Sequence, residues 1–438
     1  MKKILVAILL GTLLMLTGCR GNAGADAEEL LKSVPATASF VAVADLDALL
    51  QKSGCKVKDG EISASKELLQ AVNASSDLEF RHLMSLFLDN KSGVDPSVTL
   101  FFTDGYNTYN TGLLRDTKLF CQAVETEAKG QFTETDGIKV LKNIAVKDNR
   151  YWALLRGRAE ADPTEIKRYL SLSETQSFVS SRFAESLKAI KTDVEGWGDL
   201  KGLMNLADLP FQRQAAIKIA LSTCFKDAGY TTFTLDFRKG EMDARLNLLN
   251  DKGENAKFNF ELGQVDPATL AGLGGKCGIL FGIAVPQKLI KQLKEQLSSK
   301  PSMLGIYLMA LSELDGTVGV AASENKDDLH AVLTTTGQNS SDLMSLLESY
   351  GKVSKQGNRI FIEKGSVTGA LDVAAASNDF KGAAAGIVTG PMPQTAGVAK
   401  TSILLKPEGK GVVLNVKATG ADSSRNILLE MLAGTAKK

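Results

Sequence analysis

Histidine is nearly absent, with only His82 and His330 in a chain of 438 residues. Neither has a partner histidine, which excludes a histidine-rich metal site. His82 adjoins Arg81 on an expected helix and His330 opens a strand, so both read as surface or boundary residues rather than general bases. Cysteine is sparse too. Cys55, Cys121, Cys224 and Cys277 match no zinc spacing and no small disulfide scaffold. They are expected as buried free thiols. Neither sign of charge is in excess, since 51 basic residues face 50 acidic ones. That balance argues against the basic footprint of a nucleic-acid binder. After the first 18 residues no apolar run approaches the roughly 20 residues that a membrane-spanning helix needs. No cofactor motif is present.

What is there begins with an address. Lys2 and Lys3 form a positive start, Ile4 to Leu14 an apolar stretch, and Leu16-Thr17-Gly18-Cys19 matches the bacterial lipobox. Residues 1–18 are therefore expected to be a removed signal peptide, with the Cys19 thiol receiving diacylglycerol. A bacterial lipoprotein carries three acyl chains, enough for stable anchoring where one chain holds only marginally. The membrane is thus the first expected partner. Residues 19–32 read as a lipidated tether, with a short helix starting at the acidic Asp26, Glu28 and Glu29 and running to Leu31.

The remainder predicts an α+β fold of two related lobes, 33–262 and 263–438. Each should be a mainly antiparallel, curved sheet with helices packed on one face. Val34-Pro35-Ala36-Thr37 precedes the strand Phe40 to Val43, and Asp45 should cap the helix that follows. A metal role for Asp45 and Asp47 lacks a third ligand. Helices are expected at 64–73, 79–88, 174–191 and 210–227, and another starts at Asp162-Pro163. Strands are expected at Val98–Phe102 and in a hairpin around Asp148-Asn149-Arg150. Phe233, Leu235 and Phe237 alternate up to a turn, and Met242, Ala244, Leu246 and Leu248 alternate back.

The second half repeats this outline. Asp266-Pro267-Ala268-Thr269 precedes the strand Gly278 to Ile283 and a helix from Pro286 to Leu297. Strands at 316–322, 330–336 and 359–363 and a helix at 340–350 come next. The half closes on a hairpin, Ile403 to Leu405 and Val412 to Ala418, whose Leu414-Asn415-Val416 resembles Leu246-Asn247-Leu248. The shared order at both ends predicts an internal duplication with its boundary near Gly263. Residues 381–399, rich in Gly, Ala and Thr, read as a mobile loop.

The search for chemistry yields no catalytic residue. Ser63-Ala64-Ser65-Lys66 has the Ser-x-x-Lys spacing but lacks the Lys-Thr-Gly and Ser-Asp-Asn companions, and no Gly-x-Ser-x-Gly elbow occurs. Gly272-Leu273-Gly274-Gly275-Lys276-Cys277 has the wrong glycine spacing for a phosphate loop and reads as a turn. Two places have binding character. Tyr106 and Tyr109, with Asn and Thr between them, form a polar-aromatic segment of the kind that makes adaptable contacts. Trp197, flanked by Gly196, Gly198, Glu195 and Asp199, could offer a sugar platform, against the plainer reading that it packs in the core.

The residues Val34-Pro35-Ala36-Thr37-Ala38-Ser39-Phe40-Val41-Ala42-Val43-Ala44-Asp45-Leu46, Leu49 to Gly54, and Ser92-Gly93-Val94-Asp95, behind a lipobox, resemble a family. It is the group of Bacteroidales envelope lipoproteins known as domain of unknown function 4836. The resemblance implies an outer-envelope placement and carries no catalytic residues. Arg20, after the lipidated cysteine, also lacks the aspartate associated with inner-membrane retention. The expected function is a tethered envelope protein that binds or scaffolds a neutral partner, such as a glycan or another envelope protein. The competing expectation is an envelope hydrolase using a carboxylate pair.

Overall fold

The computed structural model describes residues 23–58, 61–74, 88, 90–206, 211–297, 312–323, 327–337, 340–391 and 397–435. Cys19, His82 and most of the helix expected at 79–88 lie outside the described residues. No helix among the described residues is long and apolar enough to cross a membrane.

The fold is mixed α and β around one large antiparallel sheet. The first half carries β1 (Phe40–Asp45), β2 (Cys55–Lys58), β3 (Glu61–Ala64), β4 (Val94–Asp104), β5 (Asn107–Leu114) and β6 (Thr133–Thr135). It continues with β7 (Ile138–Leu141), β8 (Ile144–Lys147), β9 (Arg150–Arg156), β10 (Val194–Asp199), β11 (Tyr230–Arg238) and β12 (Glu241–Leu249). The second half carries β13 (Lys276–Cys277), β14 (Ile279–Val285), β15 (Leu314–Ala322), β16 (Leu329–Thr335) and β17 (Lys352–Gln356). It ends with β18 (Arg359–Lys364), β19 (Leu371–Asp372), β20 (Ala385–Thr389), β21 (Val398–Glu408) and β22 (Gly411–Gly420).

Eighteen of these strands form one sheet. In the first half β1 lies between β4 and β10; β4 leads outward through β5, β9, β8 and β7 to β6, and β10 leads inward through β11 to β12. In the second half β14 lies between β15 and β20; β15 leads outward through β16 and β18 to β17, and β20 leads inward through β21 to β22. β12 and β22 then pair with each other, with Arg245 opposite Asn415. The two sheets expected from the sequence are therefore one sheet. The turns expected at Arg238-Lys239-Gly240 and Pro407 to Gly411, tightened in the fold to residues 239–240 and 409–410, bring each closing hairpin back with its last strand exposed, and these two free edges satisfy each other.

Smaller features recur at matching places. The register of β4 on β5 shifts between Val94 and Thr99, and that of β15 on β16 between Leu314 and Val318. Asp148 and Gly357 both take positive φ, +53° and +62°, in the two-residue turns before β9 and β18. The next residue, Asn149 or Asn358, accepts through its carbonyl from Leu114 N–H at 2.6 Å or Thr335 N–H at 2.8 Å. The Leu-Asn-Val likeness is out of step with this correspondence: aligning the two closing turns sets Arg245, not Asn247, against Asn415.

Around β1, helices pack against both faces of the sheet, where one face was expected. Val41 and Val43 of β1 pack with Leu30 and Leu31 of helix Ala23–Leu31, Ile166 of Pro163–Leu170 and Leu187 of Ala184–Lys188. Ala44 joins a second cluster with Leu50, Leu68, Phe120 and Leu428 from four other helices. Strand residues alternate in direction, so the two clusters lie on opposite sides. Helix Ala23–Leu31, expected within a free tether, is thus docked: Ala27, Leu30 and Leu31 are wholly buried, and Arg150 bonds Ser33 and Glu29.

Aspartates start five of the described helices. Asp45, Asp116, Asp162, Asp266 and Asp372 each accept a hydrogen bond from a first-turn N–H, each stabilising by about 1 kcal/mol. That explains Asp45 without a metal. Two expectations fail for local reasons. The helix expected at 174–191 is broken into Glu174–Gln176, Phe178–Ser180 and Ala184–Lys188. There Ser177 and Ser180 hydroxyls donate to the carbonyls of Glu174 and Ser177, and Phe178 N–H bonds Val34 rather than its own turn. The loop expected at 381–399 contains β20, paired on both sides by β14 and β21. Its Gly386 faces Leu404 and Ile403 so closely that a Cβ would sit 2.5 Å from Leu404 Cδ2.

Candidate functional site

The polar-aromatic segment splits once it is folded. Asp104 pairs with Asn107 across a two-residue turn of Gly105 and Tyr106. Gly105 takes φ +58°, the positive value that glycine supplies at the first position of a hairpin turn. Tyr106 at the tip is 91 % exposed. Tyr109, the third residue of β5, is fully buried, stacked on Phe102 and edge-on to Tyr169.

Tyr106 stands between two hollows. One, of about 470 Å³, is lined by Asp104, Asn107, Gly157, Arg158 and Glu165 as well as the turn; the other, of about 270 Å³, reaches Ser39, Thr103, Arg156 and Gly202. The polar rim is built by packing beneath it. Glu165, on helix Pro163–Leu170, accepts from Tyr109 OH at 2.6 Å and from Asn107 Nδ2 at 3.1 Å. Asp104 accepts from Tyr169 OH at 3.2 Å and pairs with Arg168. Arg158 reaches Asp162 at 2.8 Å and stays largely exposed. Gly157, at φ +127°, lets the chain pass over Asn107, whose Oδ1 would lie 2.0 Å from any Cβ placed there.

Burial, then donation to Glu165, push the Tyr109 phenol far above its ordinary value, and burial does the same to Tyr169. Both remain neutral donors that hold the two carboxylates in place. The rim therefore offers one exposed aromatic ring, the arginines Arg156 and Arg158, and the outer edges of carboxylates already bonded from below.

The other sequence candidates fall elsewhere. Trp197 is no platform: it is 6 % exposed in β10, stacked with Phe183 and Tyr230 and tilted against Phe178. Glycines flank it because Gly196 makes room for the Phe233 ring and Gly198 for Leu203. Ser63 ends up in β3 and Lys66 starts the next helix, so the pair does not share a helical turn. Gly274 and Gly275 form a positive-φ turn before Cys277, whose thiol burial pushes up to about 11. Cys55 is likewise pushed up to about 11 by burial, and Cys121 and Cys224 are also free. His330 sits in β16 opposite Ala321 and Glu363. Among the described residues no group of three or more His, Cys, Asp or Glu could hold a metal ion.

No family model matches the chain, and no curated protein matches it. Among solved structures, crystal form I of TP0453 aligns at 10 % identity and TM-score 0.30, covering 77 % of this chain and 92 % of that one. Crystal form III of TP0453 aligns at 10 % identity and TM-score 0.32, covering 80 % and 96 %.

Proposed function

We propose that this chain is a lipid-anchored protein of the bacterial envelope, similar to the domain of unknown function 4836 lipoproteins, whose folded body binds a partner rather than transforming one. The observation that carries the binding reading is Tyr106, a large aromatic ring held 91 % exposed on a two-residue turn between two hollows. An amphipathic ring beside hydrogen-bonding groups suits the face of a sugar or the polar surface of another envelope protein. The carboxylates at this rim favour binding over hydrolysis, because Asp104 and Glu165 each serve an internal tyrosine. Tyr106→Ala should weaken capture of an envelope glycan or protein at least tenfold while leaving the urea midpoint unchanged, and Tyr106→Trp should retain capture. Equal capture by the Ala variant, or hydrolase turnover that Tyr106→Ala abolishes, would sink this reading.

The anchor rests on the lipobox. With helix Ala23–Leu31 docked against β4 and the Ala184–Lys188 helix, only a short stretch separates Cys19 from the folded body, which therefore lies close to the lipid surface. Cys19→Ala should leave an unprocessed precursor and shift the protein from the membrane to the soluble fraction. Unchanged membrane retention would refute the anchor.

The body itself is read as two related halves, 33–262 and 263–438. Three features support a duplication: β1 and β14 occupy the same place in their strand orders, the register shifts fall at matching places, and the turns before β9 and β18 match. On this reading the β12–β22 pair is an approximate two-fold axis, with Arg245 and Asn415 as equivalent residues facing each other across it.

A further inference from the structure

One face of the central strands is polar where the halves meet. Across the sheet, Asp236, Asp243, Lys417 and Ser402 form one row, and Thr234, Arg245, Asn415 and Leu404 the next. These rows floor a hollow of about 450 Å³, with Thr192 on the first half and Asp379 on the second completing its lining. That volume falls among those of small-molecule sites.

Most of its charges are already matched. Arg238 Nε donates to Asp236 at 2.7 Å, and its Nη1 lies 3.3 Å from Asp243. Arg245 grips both oxygens of Glu408 at 2.6 and 2.5 Å. Lys417 pairs with Glu241 at 2.5 Å and Asp379 with Lys400 at 2.9 Å. Lys406, half-buried in the lining, makes no ion pair or hydrogen bond among the described residues. The side chains of Thr234, Asn415 and Ser402 make no hydrogen bond among the described residues either, although Ser402 is only 2 % exposed.

We infer that this seam is a binding site for an acidic sugar, a polyhydroxylated ring bearing one carboxylate. Lys406 takes the carboxylate, and Thr234, Asn415 and Ser402 take ring hydroxyls. Competing ligand classes fit less well. A neutral sugar leaves the Lys406 ammonium unpaired as the hollow dries. A doubly charged phosphate finds, among the described residues of the lining, one cation without an ion pair and three nearby carboxylates, Asp236, Asp243 and Asp379. An apolar ligand buries three uncommitted polar groups without offering them a hydrogen-bond partner. Neither half holds the site alone, because Thr234 comes from β11 and the other three contacts from β21 and β22. It shares no residue with the Tyr106 rim.

Calorimetric titration of the purified full chain with galacturonate, glucuronate, galactose, glucose 6-phosphate and acetate tests this. At least one uronate should bind, and at least tenfold more tightly than galactose, the phosphate or acetate. Lys406→Gln should reduce its affinity at least tenfold and Lys406→Arg should restore most of it. Thr234→Val, an isosteric change, should cost at least threefold and serves as the reading if Lys406→Gln does not fold. Tyr106→Ala should leave uronate affinity untouched. The site is overturned if neither uronate binds at millimolar concentration, if acetate or galactose binds as tightly, or if folded Lys406→Gln and Thr234→Val both bind as the parent does. Uronate binding lost in Tyr106→Ala but kept in Lys406→Gln would place it at the other rim and also overturn the inference.

Discussion

Trp197→Ala should destabilise the protein by about 3–5 kcal/mol, the usual cost of emptying a core tryptophan site. The indole lies in β10 between Val41 of β1 and Thr232 of β11. Its ring is 5.1 Å from Phe183, 5.3 Å from Phe178 and 5.7 Å from Tyr230, centroid to centroid. Arg182 closes the stack over Phe183 and Tyr230. Three aromatic neighbours, from the short helix Phe178–Ser180, the turn before helix Ala184–Lys188 and strand β11, cannot all move into the space left by the missing ring, so a cavity remains. Trp197→Phe should behave differently. The indole Nε1 is buried and has no hydrogen-bond partner, so the phenyl ring loses some contact area but also removes an unsatisfied donor. The net cost should be about 1 kcal/mol or less. Urea midpoints of the two variants check both statements. An Ala variant as stable as the parent would put Trp197 back on the surface; a Phe variant as damaged as Ala would show that the orphaned N–H carries no penalty.

Trp197 also shows where sequence reading stops. The hairpins 230–249 and 398–420 were legible because alternation along both arms and a tight turn agree. The helices beginning at Asp45 and Asp162 were legible because cap and first turn are adjacent in sequence; the short helix Pro267–Ala271 behind Asp266 was not expected. β5 and β10 were not, since their composition resembles that of loops. In β5 the polar residues are inside the core and satisfied there: Asn110 donates to Thr99 Oγ1 at 2.6 Å and to the Leu100 carbonyl at 3.2 Å. In β10 glycine is selected by the ring of Phe233, which is 37 residues away in sequence and directly opposite in space. Tyr106 was read as a contact residue together with Tyr109, and only the hairpin register separates an exposed tip from a buried stack. The seam was beyond reach. Thr234 and Asn415 lie in strands whose polar positions read as solvent-facing, and nothing in the pattern says that the two closing hairpins pair edge to edge.

Asp193→Ala should cost about 3 kcal/mol, near the lower end for breaking a buried ion pair. The Asp193 side chain is 2 % exposed. It accepts from Lys52 Nζ at 2.7 and 2.9 Å and from Phe237 N–H at 2.6 Å. Its removal strands that N–H and leaves Lys52 with Asp236 alone, at 2.7 Å. Asp236→Ala should cost less, because Asp236 also borders the open seam and Lys52 keeps the better-buried partner. The two carboxylates should also respond to acid in opposite ways. Burial, outweighing Lys52 and the Phe237 N–H, pushes the Asp193 carboxyl above its ordinary value. Its contribution is therefore fully present below the unfolded value of about 3.9 and is lost as pH rises through the folded value. For Asp236 burial acts the same way but Lys52 and Arg238 outweigh it, holding the carboxyl below its ordinary value. Its stabilisation is present above about 3.9 and disappears as pH falls through the folded value. Asp236→Asn should therefore flatten the loss of stability below pH 4, whereas Asp193→Asn should flatten a loss that begins near pH 4 and continues upward. Urea midpoints measured from pH 3 to pH 7 separate the two. Identical pH profiles for both Asn variants would mean that Lys52 serves the carboxylates equally, and that the burial difference between them does not set which one is charged.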